Sequence, residues 1–219
     1  MDLKINKNYK DYLEKTFLEE LNYKIWITKG SRFNADKRLL LISKLSNLSN
    51  SMLSVYLIAI GLLSVYNIYN DGFIAQNVLP YITTCLSIIL LVFSQFENSK
   101  NYQLKAKEFH SCGIELSKLY NKLRVFKTLN TNVSDNEKEQ FAQEIADKYE
   151  SILEKYDNHD PIDHSLFKVR NAQYFELNWV DILTIKINYY FKTQLIFHLI
   201  ILIPPTILTL ILIRVLNVN

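Results

Sequence analysis

Charged and uncharged positions are sharply segregated along the chain. Residues 45–70, 72–96 and 193–213 contain no Asp, Glu, Lys or Arg. Each stretch is about 20 residues or longer, enough to cross roughly 30 Å of hydrocarbon as a helix. The pattern predicts three membrane spans, the first two joined by a tight turn at Asn70-Asp71-Gly72. Outside them, apolar residues recur three or four apart, the period of amphipathic helices. A helix over 2–24 would align Leu3, Tyr9, Tyr12 or Leu13, Phe17 and Leu21. Thr28-Lys29-Gly30-Ser31 then suggests a break before a helix running from about Asn34 into the first span.

Pro80 is the one proline between 77 and 126, so the second span is expected to continue past the membrane as an unbroken stalk. Phe109, Cys112, Leu116, Leu119, Leu123 and Phe126 form its seam. After a loop at 128–133, Ser134-x-x-Glu137 reads as a capping box, in which two side chains satisfy free backbone donors. The helix it opens, 135–156, carries Phe141, Ile145, Tyr149, Ile152 or Leu153 and Tyr156, and should fold back antiparallel on the seam. Residues 157–163 end it. A further helix from about 164 passes Tyr174, Phe175, Trp179, Tyr189, Tyr190 and Phe191, an aromatic density that suits a membrane interface. In the last span Pro204-Pro205 predicts a kink.

No stretch has a strand period. The fold class is all-α: an N-terminal helix (1–32), a transmembrane hairpin (33–96), a cytoplasmic helical domain (97–180), and an interfacial helix with a third span (181–219). Four glycines and four prolines in 219 residues leave little for tight turns or phosphate loops. A net charge of +3 is too small to argue for direct nucleic-acid binding. Cys85 and Cys112 do not make a disulfide framework and fit a reducing compartment. The charged first 38 residues offer no cleavable signal peptide. Ten Lys/Arg against six Asp/Glu precede residue 45, and seven against two lie in 100–127. The turn at 70–72 has no positive charge. Both ends of the hairpin are therefore expected in the cytoplasm, with the C-terminus outside. With no phosphate loop, nucleophile elbow or paired catalytic carboxylate, neither an enzyme nor a cofactor is expected.

The charged N-terminal helix, the two-span hairpin and the basic continuation of the second span resemble the SLATT domain. So does Tyr149-x-x-Ile152-Leu153 followed by Asn158-His159-x-x-x-Asp163. The resemblance covers roughly residues 15–180, and the extra C-terminal span is similar to the subgroup found beside reverse transcriptases. It implies a bacterial inner-membrane effector of antiviral defence, a homo-oligomeric pore that depolarises the membrane in abortive infection. A reverse transcriptase, a nucleotide synthase or a nucleotide signal would be its partner, besides the lipid bilayer. The alternative is a membrane-anchored scaffold or nucleotide sensor that recruits a soluble partner.

Ser43, Asn47, Asn50, Ser54, Gly61 and Ser64 recur three or four apart on the first span, with one gap. Such a stripe serves either helix packing or a water-filled lumen. Asn158, His159, Asp160, Asp163 and His164 could hold a ligand or a metal, but no cysteine or histidine set for zinc stands out. They could equally form a turn, with Asp163 capping the next helix. His198 lies within the last span, where it could gate or simply pack. Lys118, Lys122 and Arg124 on the stalk suit anionic lipid or a partner.

Overall fold

The computed structural model describes residues 15–65, 78–129 and 133–218, and the regular structure among them is helical. The elements are α1 (Phe17–Val65), α2 (Val78–Ser99), α3 (Tyr102–Leu129), α4 (Asp135–Lys155), α5 (Pro161–Arg170), α6 (Trp179–Thr193) and α7 (Leu195–Val218). Residues 2–14 of the expected first helix, the turn at 70–72 and residues 130–132 lie outside the described residues. Phe17–Leu62 and Pro80–Leu129 each contain a stretch long and apolar enough to cross a membrane. α6 and the first part of α7 meet that test only as a pair, bent by 63°.

Several boundaries differ from the sequence expectations. α1 runs through Thr28-Lys29-Gly30-Ser31 without a break. Gly30 serves contact instead: a Cβ there would collide with the ring of Phe167. α2 and α3 are not one unbroken stalk, because Asn101 adopts φ 49 between them. Asparagine tolerates this left-handed conformation better than other residues with a Cβ. Asp160, not Asp163, caps α5: its side chain accepts from the Ile162 amide, and Pro161 takes the first helical position. The expected single helix from 164 to 191 is two, since the chain turns at 171–176 with Glu176 at φ 54. α7 carries Pro204 and Pro205 inside one continuous helix.

The chain divides into two compact units. The first comprises Met1–Lys37 and Lys105–Ile185. Its core cluster is Leu21, Ile25, Leu119, Leu123 and Ile145, flanked by Phe141, Tyr149 and Ile152. Burying each such side chain contributes about 1.5–3 kcal/mol before the entropy of ordering is subtracted. α3 and α4 pair antiparallel, with Phe126 stacked on Phe141 at 3.8 Å, Lys122 bonded to Glu144 at 2.7 Å and Lys155 to Glu115 at 2.7 Å. The capping box opens α4, with the Ser134 hydroxyl accepting from the Glu137 amide and the Glu137 carboxylate accepting from the Ser134 amide. The amino-terminal part of α1 lies antiparallel to α3, through Lys29 over Tyr120, Phe33 against Gly113 and Asp36 bonded to His110. Tyr174 and Phe175 pack on Trp26. The turn at 171–176 brings them there.

The second unit comprises Arg38–Leu104 and Lys186–Asn219. On α1 the inward face is Leu39, Ile42, Ser43, Ser46 and Ser49. α7 runs in the same direction as α1 along it. Tyr56 donates to the Ile201 carbonyl at 2.6 Å, and Ser49 to that of Phe197 at 3.5 Å. The Ile201 carbonyl would normally accept from residue 205, which is proline and has no N–H. Tyr56 thus replaces the missing helix bond.

Candidate functional site

Each unit brings together one group of the residues singled out from sequence. In the second unit, the polar stripe of α1 divides between two environments. Ser43 is buried, Asn50 half-buried, and Asn47 and Ser54 are exposed. Gly61 has open space where a Cβ would stand. The side chain of Ser64 lies outside those described. The Ser54 hydroxyl donates to the Asn50 carbonyl and that of Ser51 to the Asn47 carbonyl, both at 3.0 Å. This back-bonding satisfies each hydroxyl within the helix and leaves a polar line facing outward in the single chain. Small polar residues therefore occupy two environments on one helix: Ser43, Ser46 and Ser49 pack inward, while Asn47 and Ser54 face out. On α7, His198 accepts from or donates to Tyr190 at 3.0 Å, so it has a partner at the bend.

At the carboxyl end of α2 a cavity of about 410 Å³ lies among Ser43, Ser46 and Asn47 of α1 and Glu97 and Asn98 of α2, with residues 101–104. Glu97 is 5% exposed. Lys100 binds its Oε1 at 2.6 Å, and Oε2 has no hydrogen-bond partner. Sequence reasoning passed over Glu97, although it is the first acid after the second uncharged stretch and stands three residues before a lysine.

In the first unit, the Asn158-His159 segment holds α1. Arg32, 1% exposed, donates through Nη1 to the Asp157 carbonyl and through Nη2 to Asn158 Oδ1 at 3.4 Å. Its guanidinium also faces the Phe109 ring, 5.5 Å from the centroid. Buried Asn34 donates to the Asp163 carbonyl at 3.0 Å, and Asp163 itself is fully buried. His159 is half-buried beside them. Tyr149 meets Thr28 at 2.8 Å, oxygen to oxygen, while the Thr28 hydroxyl donates to the Lys24 carbonyl. His164 faces Ser31 at 3.5 Å, and burial, helped by the charge of Lys168, lowers its pKa from the ordinary 6.5. Tyr149, Asn158 and Asp163 thus converge on one stretch of α1, residues 28–34, as a structural clasp, with His159 next to Asn158 in the chain. A buried arginine has no sequence signature, because arginine is seldom enclosed unless it is bonded.

Lys118, Lys122 and Arg124 are all exposed on α3. Lys122 is bound to Glu144, whereas Arg124 lies over the Tyr120 ring at 5.9 Å. Of the three, Lys122 contributes to the α3–α4 pairing itself.

No curated protein and no solved structure matches the chain. A family model described as the SMODS and SLOG-associating 2TM effector domain family 5 matches residues 14–211. The match takes in both membrane-crossing helices, the Asn158-His159 clasp and most of α7. The chain belongs to the SMODS and SLOG-associating two-transmembrane effector domain family 5.

Proposed function

We propose that this membrane effector assembles into a homo-oligomeric pore in the bacterial inner membrane. The pore depolarises the cell and stops growth when an antiviral defence system is triggered, and the chain acts without catalysing a reaction. The first unit and the N-terminus face the cytoplasm, and α7 makes the third crossing with its C-terminus outside. A nucleotide synthase, a reverse transcriptase or a nucleotide signal supplies the trigger.

The observation that carries this reading is the outward polar line Asn47, Ser51 and Ser54 on an apolar helix whose buried serine face is already used. In hydrocarbon, polar side chains face a partner helix or water rather than lipid. Three helices cannot enclose a channel, so the line must be covered by further copies or border a shared lumen. The test is membrane potential, followed by a voltage-sensitive dye in bacteria expressing the chain with its trigger. Changing Asn47, Asn50 and Ser54 to leucine should abolish depolarisation at equal expression. Growth arrest with an unchanged potential would overturn the pore. It would favour a scaffold that recruits its partner through Lys118 and Arg124, which the α3–α4 pairing leaves exposed.

A further inference from the structure

We infer that the cavity at the carboxyl end of α2 is a binding site for a monovalent alkali-metal ion, anchored by Glu97. Three observations within the second unit point there. First, Glu97 is a carboxylate 5% exposed whose Oε2 makes no hydrogen bond, although the Tyr102 hydroxyl interacts with the same carboxylate. An orphaned buried acceptor of this kind carries a desolvation cost unless a donor or a cation meets it. Second, the walls are rich in neutral oxygen groups: the hydroxyls of Ser43, Ser46 and Tyr102 and the amides of Asn47, Asn98, Asn101 and Gln103. Ser43 and Ser46 are themselves 7% and 4% exposed, so their hydroxyl positions are set by the helix rather than by solvent. Third, one turn further along α1 the side-chain oxygen of Asn50 is a second buried acceptor without a donor. Both orphaned atoms are acceptors, which repel an anion and attract a cation.

The donor set also selects among cations. Oxygen ligands without sulfur or imidazole suit hard ions and exclude zinc and copper. Calcium sites gather six to eight oxygens, commonly with several carboxylates. Here Glu97 is the one carboxylate lining the cavity, and Lys100 already neutralises its other oxygen at 2.6 Å. The net charge of the pair is zero, so neutral dipoles must do most of the coordination. That arrangement favours a singly charged ion held weakly. Lys100 is also its competitor, because its ammonium occupies the same carboxylate that the ion needs. The site is lined by residues of one chain and does not depend on conduction. Its place beside Asn47, on the outward polar line, would make it the entry point if the pore conducts.

Binding of rubidium ion to the full chain in detergent tests the assignment directly, by equilibrium dialysis with no flux measured. The native chain should bind saturably. Glu97→Gln should lose binding by roughly tenfold or more, and Ser46→Val should weaken it, whereas Lys100→Gln should strengthen it by removing the competing charge. Size-exclusion elution and helical circular dichroism, unchanged in Lys100→Gln and Ser46→Val, separate loss of the site from loss of the fold. If no saturable binding occurs, if Glu97→Gln binds as well as the native chain, or if Lys100→Gln binds more weakly, the cavity holds water alone and the assignment falls. A chain that binds rubidium yet leaves membrane potential unchanged would retain this site and lose the pore.

Discussion

Three single residues make claims that can be checked on their own. Tyr56 supplies the hydrogen bond that Pro205 cannot give to the Ile201 carbonyl. Removing that hydroxyl from an apolar setting should cost about 0.6–2 kcal/mol, the range for hydrogen bonds inside membrane helices. The cost should nearly vanish in a Pro205→Ala background, where the backbone amide returns. A double-mutant cycle on thermal stability measures this coupling, and equal costs in both backgrounds would refute it. Gly30 allows Phe167 to lie against the backbone of α1. Gly30→Ala should therefore destabilise the first unit by about 1–3 kcal/mol through overpacking, despite alanine's better helix propensity. An unchanged unfolding midpoint in urea would show that the ring can move aside. His164 titrates below its ordinary 6.5 because burial, and then Lys168, disfavour its charged form. Its contribution is complete above that ordinary value, where folded and unfolded chains are both neutral. As the pH falls through 6.5 the unfolded chain takes up a proton first, so stability drops. His164→Asn should flatten this segment of the stability curve, measured by urea unfolding between mildly alkaline and mildly acidic pH.

At the scale of elements, the legible features were those written in neighbouring residues. The capping box at Ser134 and Glu137, the α3 seam and the antiparallel α3–α4 pairing follow from local spacing, and each stands in the structure. What escaped depends on partners far along the chain. Gly30 looks like a helix breaker until Phe167 is seen against it. The packing of Tyr174 and Phe175 on Trp26 depends on the turn at 171–176, which no local spacing announces. Asp160 was available as the cap of α5 from the proline that follows it, a local signal that the nearby Asp163 obscured. The α3–α4 hairpin has an acid limit of its own. Lys122 and then Lys148 hold the Glu144 carboxyl down to about 2 from an ordinary 4.5. Support from this group is present above 4.5 and is lost as the pH falls toward 2, because the unfolded carboxyl protonates first. Since Glu144 is exposed, added salt should weaken the same support.

At the scale of the whole molecule, the division into two units separates where the effector is held together from where it would conduct. α1 contributes residues to both units and is one continuous helix from Phe17 to Val65. The clasp formed by Asn158 and Asp157 grips Arg32 in the first unit, while the outward polar line lies on the membrane half of the same helix. Lesions in the two places should therefore have different signatures. Asn158→Ala leaves a buried guanidinium with one acceptor fewer and should lower the stability of the first unit by about 1–3 kcal/mol. Any current that this variant still passes in liposomes should keep the native ion preference, because no residue of the second unit has changed. Leucine at 47, 50 and 54 should do the reverse, sparing the unfolding of the first unit and removing the current. Calorimetry paired with liposome flux reads both quantities on the same preparations. If Asn158→Ala altered ion preference, or the leucine variant lowered the stability of the first unit, holding and conducting would not be separable along α1. The trigger would then have to act on a single cooperative body rather than through one shared helix.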